Sequence, residues 1–427
     1  MIHKLIEPFP LVALREVAET RSIYIWGAGN QGRGIAKVLV NENIGLAGFI
    51  DSSQELIGSE VMNLSVHTHD SILSHIDQPI FIIIASFFYE AEMAEMCKHA
   101  GLEEGVSYVH YSRLKPRDYS IDISGACNLK CVSCPRAERS SNERSAGLMS
   151  LDTFQQVITK IKKDDPFVGN IQLYQWGEPT LNPNLPNMIA YARAQGINSA
   201  ISSNLNLAKV DYRAIVAAKP ERFRISASAW GKKYEIAHTG GKWEQFIENV
   251  ELLAKLRNEL YPEMKIELYY HVYKHSLGEG VARFRRLCEN YNIEFKPVYA
   301  YLISLDDVLR YQEGIPLPEA AQLAKDAMLM DLDEGLAMAK AEKRLSCDAI
   351  RSVHINWDTS ISHCMMYYFP QENIAVPDYL DQSIEDITQK RLSSDLCKRC
   401  IKQGLHRYCS VYSKEPTDVE ELIHGNG

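Results

Sequence analysis

The sequence predicts a multidomain α/β protein: an N-terminal Rossmann-like domain, a central partial (β/α)6 barrel, and a small cysteine-rich C-terminal domain. Two observations carry this expectation. Strand and helix signals alternate over residues 23–111 and again over 118–299, the pattern of parallel β/α sheets. Five of the ten cysteines then fall within residues 346–427, a short loop-rich stretch in which that alternation stops. The expected boundaries are 1–112 for the first domain, 118–310 for the barrel, 311–345 for a helical connector and 346–427 for the cysteine-rich domain.

A chain of 427 residues with 46% hydrophobic content has material for more than one core, because single cores stop growing near ~250–300 residues. The net charge of -9 and pI near 5.9 argue against a nucleic-acid partner, since neutralising phosphate needs a basic face. Glu7, Pro8 and Pro10 interrupt the start before a signal-peptide apolar stretch can form. The longest apolar run, "PIFIIIASFF" at 79–88, is too short to span a bilayer as a helix and reads as a parallel strand buried on both faces. No membrane partner is expected and the expected location is cytoplasmic. In a reducing compartment clustered cysteines point to metal or redox work.

Taken in order, "SIYIWGAGNQGRGIAKVLV" supplies strand, Gly-rich turn and helix, "IGLAGFID" the next strand, and "PIFIIIAS" a third. Gly27, Gly29 and Gly32 stand where a dinucleotide-type turn has its glycines, and Asp51 stands where a ribose acceptor does. NAD(P) and a nucleotide sugar are candidate ligands, and a purely architectural role stays equally open. "SRLKPRDYS", 112–120, reads as a linker. In the barrel, "YSIDIS", "NIQLYQW", "NSAISSN", "RFRISAS", "KIELYYHVY" and "IEFKPVY" are the six strands. Ser150 caps a helix through Lys163, Pro183 starts the next, "KVDYRAIVAAK" is helical, and further helices begin near Lys242 and Glu279. Period-2 alternation in "KIELYYHVY" puts Ile266, Leu268, Tyr270 and Val272 on a face for helices, and Glu267, Tyr269, His271 and Tyr273 on a face for a lumen. Residues 316–345 look helical, with acidic "DLDEG" in the middle.

The chemistry-bearing stretch is "CNLKCVSC". Cys127, Cys131 and Cys134 follow the first barrel strand, and three thiolates so spaced can occupy three irons of a 4Fe-4S cube and leave the fourth open. On the cysteines alone a three-ligand zinc site stays open. With the "GEP" of Gly177, Glu178 and Pro179 after the next strand, the segment from Asp118 to Tyr299 resembles the radical S-adenosylmethionine (radical SAM) superfamily. The resemblance implies that the cofactor's methionyl group chelates the open iron, with Gly177–Pro179 near its amine. It also implies that Ser202, Ser203 and Asn204 lie at a strand end contacting ribose and carboxylate, and that Ser226 is the fourth-strand serine. Ser228 stands where the family often has Asp, so no ribose contact carries over to it.

Cys347, Cys364, Cys397, Cys400 and Cys409 resemble the C-terminal SPASM or twitch module of that superfamily, the shorter twitch version fitting best, which implies one auxiliary 4Fe-4S cluster on four of the five. Structural zinc is the alternative. Lys398, Arg399, Lys402, His406 and Arg407 supply cations nearby. Cys97 and Cys288 belong to neither set and read as buried apolar residues; Cys288 is also the one core-domain thiol available as a hydrogen donor.

The resemblance implies reductive cleavage of S-adenosylmethionine to a 5′-deoxyadenosyl radical, fed by an electron donor such as flavodoxin or ferredoxin. The expected substrate is a small molecule, carbohydrate-like or another polyol, oxidised or epimerised with Tyr269, His271 and Cys288 as candidate catalytic contacts. A peptide maturase is the second reading, and a non-catalytic iron-sulfur or zinc scaffold or redox sensor the third. Oxidation ranks above epimerisation because the Cys288 helix faces covering layers more naturally than a lumen.

Overall fold

The structure is a computed structural model that describes residues 7–74, 79–86, 89–115, 117–135, 147–302, 304–343, 347–368 and 373–413. Phe87 and Phe88 of the apolar run, Pro116 of the linker and Leu345 at the connector's end lie outside them. The chain divides into two compact units, one formed by residues 5–118 and 161–169, the other by the remainder.

The first unit holds a six-stranded sheet of β1 (Ser22–Trp26), β2 (Gly48–Ile50), β3 (Glu60–Val61), β4 (Leu64–His67), β5 (Ile80–Ile84) and β6 (Tyr108–Val109), in the order β3-β4-β2-β1-β5-β6. β1 lies parallel to both β2 and β5, and only β3 runs antiparallel to its neighbour. All five residues of β5 are buried, as the unbroken apolar run requires. Ile23, Ile25, Phe81 and Ile83 pack into one core with Leu14, Ile35 and Leu39, while Ile82 and Ile84 enter another with Ala94, Cys97 and Tyr108. A strand covered on both faces has no position for a polar residue. Cys97 is thus a packing residue, its thiol pushed up to about 12 by burial.

The second unit carries six parallel strands in sequential order, β7 (Asp118–Ile121), β8 (Asn170–Gln172), β9 (Asn198–Ser203), β10 (Arg222–Ala227), β11 (Lys265–Val272) and β12 (Glu294–Tyr299). Helices Leu151–Asp164, Leu185–Ala194, Tyr212–Ala217, Trp243–Leu260 and Glu279–Asn290 separate them. The Ser150 hydroxyl accepts the Thr153 N–H at 3.0 Å and starts the first of these. Pro183 does not start the second; a 3-10 turn at Pro179–Leu181 intervenes, and the helix begins two residues later with Pro186 in its first turn. Residues 316–345 form two helices rather than one, Glu319–Ala327 and Leu332–Ala341, because the Asp331 carboxylate accepts the Asp333 N–H at 2.8 Å and caps a fresh start within "DLDEG".

The sheet does not stop at β7. β13 (Ser352–Ile355), β14 (Ile361–Ser362) and β15 (Ile374–Val376) extend it in the order β7-β13-β14-β15, making nine strands. The seam is tied by Asp122 N–H donating to Ile355 O at 2.8 Å and by a buried Ser120 Oγ to His354 Nδ1 contact of 3.0 Å.

Gly32 is held to hydrogen by its surroundings: a β-carbon there would lie 1.8 Å from Gly27 O. Gly32→Ala should therefore destabilise the first unit by at least ~1–3 kcal/mol, the usual cost of overpacking. Urea unfolding followed through Trp26 fluorescence measures it, and an unchanged midpoint refutes the close-approach argument.

Candidate active site

Loops leaving the carboxyl ends of parallel strands converge on one rim, the usual place for a site in such a sheet. Here the cysteine loop follows β7, Gly177–Pro179 follows β8, and Asn204 follows β9. The Asp122 carboxylate, on a residue 4% exposed, accepts the Trp176 and Gly177 N–H groups at 3.2 and 3.1 Å. Glu178 N–H in turn donates to Ala126 O at 2.7 Å, one residue before Cys127. A β-carbon at position 177 would sit 1.6 Å from Ser124 O, so only glycine permits this approach.

Glu178 is 3% exposed. One carboxylate oxygen accepts the Asn204 N–H at 2.9 Å, and the other accepts the Thr180 N–H and hydroxyl at 3.1 and 2.6 Å. Burial pushes its carboxyl up, and these donors, with Ser203, oppose the shift. The Asn204 side chain then reaches Asn128 Oδ1 at 3.0 Å and Cys127 Sγ at 3.8 Å. Ser202 and Ser226 are half-buried near the ends of their strands, whereas Ser203 is buried and accepts the Leu205 N–H at 3.0 Å.

The cysteine loop is pinned from a second side. Lys130 and Val132 donate their N–H groups to Thr239 O and Ala237 O at 2.9 and 3.1 Å, and the Ser133 and Tyr273 hydroxyls meet at 2.8 Å. Cys127, Cys131 and Cys134 are half-buried thiols outside any disulfide. Burial, then the neighbouring Cys134 and Cys127, push the Cys131 thiol well up. His238 Nδ1 lies 3.5 Å from Cys131 Sγ, and burial holds this imidazole neutral, lowered to about 4. The donor set fits an open-site cube. Three thiols on one braced loop can each take a separate iron.

β11 presents the two expected faces. Ile266, Leu268, Tyr270 and Val272 are buried, Tyr269 and His271 are half-buried on the opposite face, and Glu267 is buried under Lys296 at 2.8 Å. Arg224 of β10 stacks 3.5 Å from the Tyr269 ring centre. Tyr273 departs from its expected place: at 3% exposure it is tied to Ser133 instead of lining a lumen. Cys288 does not join the polar face either. It shares the buried side of helix Glu279–Asn290 with Phe284, which packs on Tyr270, and burial pushes its thiol up to about 12.

The five C-terminal cysteines come together. Burial raises the Cys400 thiol, and Cys364, Cys347, Cys397 and Cys409 raise it further; the Cys347 thiol reaches about 12 for the same reasons. Cys397 sits in the first turn of helix Asp395–Lys402, where Ser394 Oγ accepts its N–H at 3.2 Å. The expected cations are engaged elsewhere: Lys398 with Asp395 at 3.2 Å, Arg399 with Glu313 at 2.6 Å, Arg407 with Glu342 at 3.3 Å. The cation beside the thiols is Arg391, which is buried. Val132 of the first loop packs against the apolar cluster that holds Cys400 and against which Tyr301, Cys364 and Cys409 also pack. Gln175 Nε2 also donates to Met365 O at 3.1 Å, beside Cys364.

In the first unit, Asp51 accepts the Ala28 and Ser53 N–H groups at 2.7 and 2.9 Å, bracing the turn that holds Gly27 at φ +118°. Gly29 has open space around it.

These strands and loops form a largely parallel sheet whose rim carries three thiols. Residues 121–262 match the model of the radical SAM superfamily. The cofactors of that superfamily are a 4Fe-4S cluster and S-adenosylmethionine. Among curated proteins, the chain is 26% identical over 170 residues to the mycofactocin maturase MftC of Mycobacterium ulcerans (strain Agy99), a match covering 40% of this chain and 43% of that protein. Similar solved structures include BtrN in complex with AdoMet and 2-DOIA, at 15% identity and TM-score 0.38 over 71% of this chain and 93% of that one. Another is Streptococcus suis SuiB bound to precursor peptide SuiA, at 14% identity and TM-score 0.46 over 78% of this chain and 74% of that one. No helix among the described residues is long and apolar enough to cross a membrane.

Two outcomes are expected. Gly177→Ala, by displacing the strand end from Ser124, should abolish iron incorporation at the first loop, read as a drop of about four irons per chain; full iron content would refute the bracing role. The second concerns His271, whose imidazole is lowered from its ordinary 6.5 to about 3 by burial, then by Arg224 and His238. Between those values the unfolded chain binds a proton that the folded chain does not, so stability falls as pH drops through that window. His271→Gln should flatten the fall in melting temperature from pH 6.5 downward, and an unaltered slope would refute it.

Proposed function

We propose that this radical SAM protein oxidises a carbohydrate-like or other small polyol substrate, using two clusters. The reading assigns Cys127, Cys131 and Cys134 to the site-open cluster, and four of Cys347, Cys364, Cys397, Cys400 and Cys409 to an auxiliary one. When bound, the first cluster and S-adenosylmethionine supply a 5′-deoxyadenosyl radical that removes hydrogen from a substrate C–H bond. The observation that carries the reading is that Val132 of the first cysteine loop and Tyr301, Cys364 and Cys409 all pack against one apolar cluster, which supports a one-electron acceptor within reach of the first loop.

The chain's own groups do the rest. Gly177 and Glu178 fix the cysteine loop; Asn204 and Ser226 present polar strand ends to the cofactor; Tyr269, Arg224 and His271 offer a hydroxyl, a cation and a neutral imidazole to a hydroxyl-rich substrate. Cys288 lies on the apolar side of β11, so no core-domain thiol outside the cluster loop is offered as a hydrogen donor, which favours loss of two hydrogens over inversion. A peptide substrate is the second reading, favoured by the maturase name of the curated relative.

Anaerobic, iron-reconstituted full-length protein given S-adenosylmethionine and dithionite should form 5′-deoxyadenosine, and the Cys127→Ala, Cys131→Ala, Cys134→Ala triple variant should not. Cyclitols and amino sugars should raise that yield above background where short peptides do not, with a product lighter by two hydrogens. Stimulation by a peptide alone, or deuterium gained from heavy water at an otherwise unchanged sugar carbon, would overturn the substrate or the outcome.

A further inference from the structure

We propose that Arg391 is the buried counter-cation of the auxiliary cluster and tunes its reduction potential, an inference that rests on the auxiliary-cluster reading above. Arg391 is 3% exposed on helix Ile384–Ser393. It occupies the same buried stripe as Ile384 and Ile387, where a helix facing a core ordinarily carries apolar residues.

Its guanidinium donates through Nε to His363 O at 3.1 Å, through one terminal nitrogen to Ile350 O at 3.2 Å, and through the other to Ala349 O at 3.0 Å. These carbonyls belong to the residue before Cys364 and to the turn just after Cys347. One side chain thus clamps the two loops that deliver those thiols.

Hydrogen bonds to neutral carbonyls do not cancel a buried positive charge, and an unpaired buried ion is expensive. Among the described residues no carboxylate pairs with Arg391. The ionisable groups that face it are Cys364, Cys397 and Cys347, together with His363, which burial and the Arg391 charge keep neutral. Cysteine ligands of an iron cluster, on the loops that the guanidinium clamps, would supply the missing negative charge. A fixed cation at this range, in low dielectric, also favours the reduced cluster, which carries one more negative charge than the oxidised form. The same residue therefore holds the ligand loops and raises the potential of what they bind.

The test uses full-length protein carrying the Cys127→Ala, Cys131→Ala, Cys134→Ala changes, so that the auxiliary cluster alone gives a signal, with Arg391 retained or replaced. Iron content, melting temperature and a redox titration followed by electron paramagnetic resonance are read together. Arg391→Met should shift the potential to more negative values, by at least a tenfold change in the oxidised-to-reduced ratio at fixed poise, about 59 mV for a one-electron couple. Arg391→Lys, which keeps the charge but loses the planar fork, should lower the melting temperature and leave the potential near that of the parent. Arg391→Met with the parent's iron content and potential would reduce Arg391 to a loop clamp and overturn the inference. If Arg391→Met fails to hold iron, Arg391→Lys decides: retained iron at the parent potential supports the proposal, and lost iron overturns it. A parent protein that binds no cluster would overturn the auxiliary-cluster reading itself, an outcome distinct from a failure confined to Arg391.

Discussion

The second unit depends on one close approach, the backbone of residue 177 lying against that of residue 124. Everything at the rim is referred to it. Asp122 holds the amides of Trp176 and Gly177, Ala126 O takes the amide of Glu178, and Glu178 reaches on to Asn204, so the ends of three parallel strands are joined without a side chain longer than a carboxylate. Such short ties leave little play. A loop that must present three sulfurs at fixed separations gains its rigidity from backbone contacts of this kind.

The C-terminal segment is equally bound into this frame. β13–β15 continue the parallel sheet from its β7 edge, and Cys364, Cys400 and Cys409 share an apolar cluster with Val132 of the first cysteine loop. Helices Glu319–Ala327 and Leu332–Ala341 and the tyrosines at 408 and 412 belong to that same apolar cluster, and Tyr301 packs against it. The first unit is organised on a different principle, a sheet buried on both faces with the carboxylate of Asp51 bracing its glycine turn.

What the sequence made legible follows period and local spacing. Six sequential parallel strands, the two faces of β11, the apolar environment of Cys97 and the cysteine loops are all readable within windows of ten residues or so, because strand alternation and motif spacing are local properties. Three features were hidden, each for a physical reason. Tyr273 alternates like a lumen residue, but the strand ends at Val272, and beyond it the phenol swings to Ser133, distant by 140 positions in the chain. The split within "DLDEG" depends on Asp331 acting as a cap, while the surrounding Ala and Leu favour continuous helix. Lys398, Arg399 and Arg407 looked like the cations of the second cysteine set because they are near in sequence; carboxylates engage them, and Arg391 lies beside the thiols instead. The local signal for Arg391 existed, a charged residue on the stripe of Ile384 and Ile387, but the partners that explain it are set by tertiary contacts.

Trp357, in the turn between β13 and β14, lies against Gly125 and Gly147, its five-membered ring over the first and its six-membered ring over the second; a β-carbon at either glycine would fall within 2.4 Å of the indole. Gly125 stands two residues before Cys127, so the base of the cysteine loop has as a packing partner a residue more than two hundred positions later in the chain. On the ribosome, where synthesis runs at ~5–20 residues per second and domains form as they emerge, that partner arrives well after the loop it supports. The base of the cysteine loop therefore gains its indole support only after more than two hundred further residues have been made.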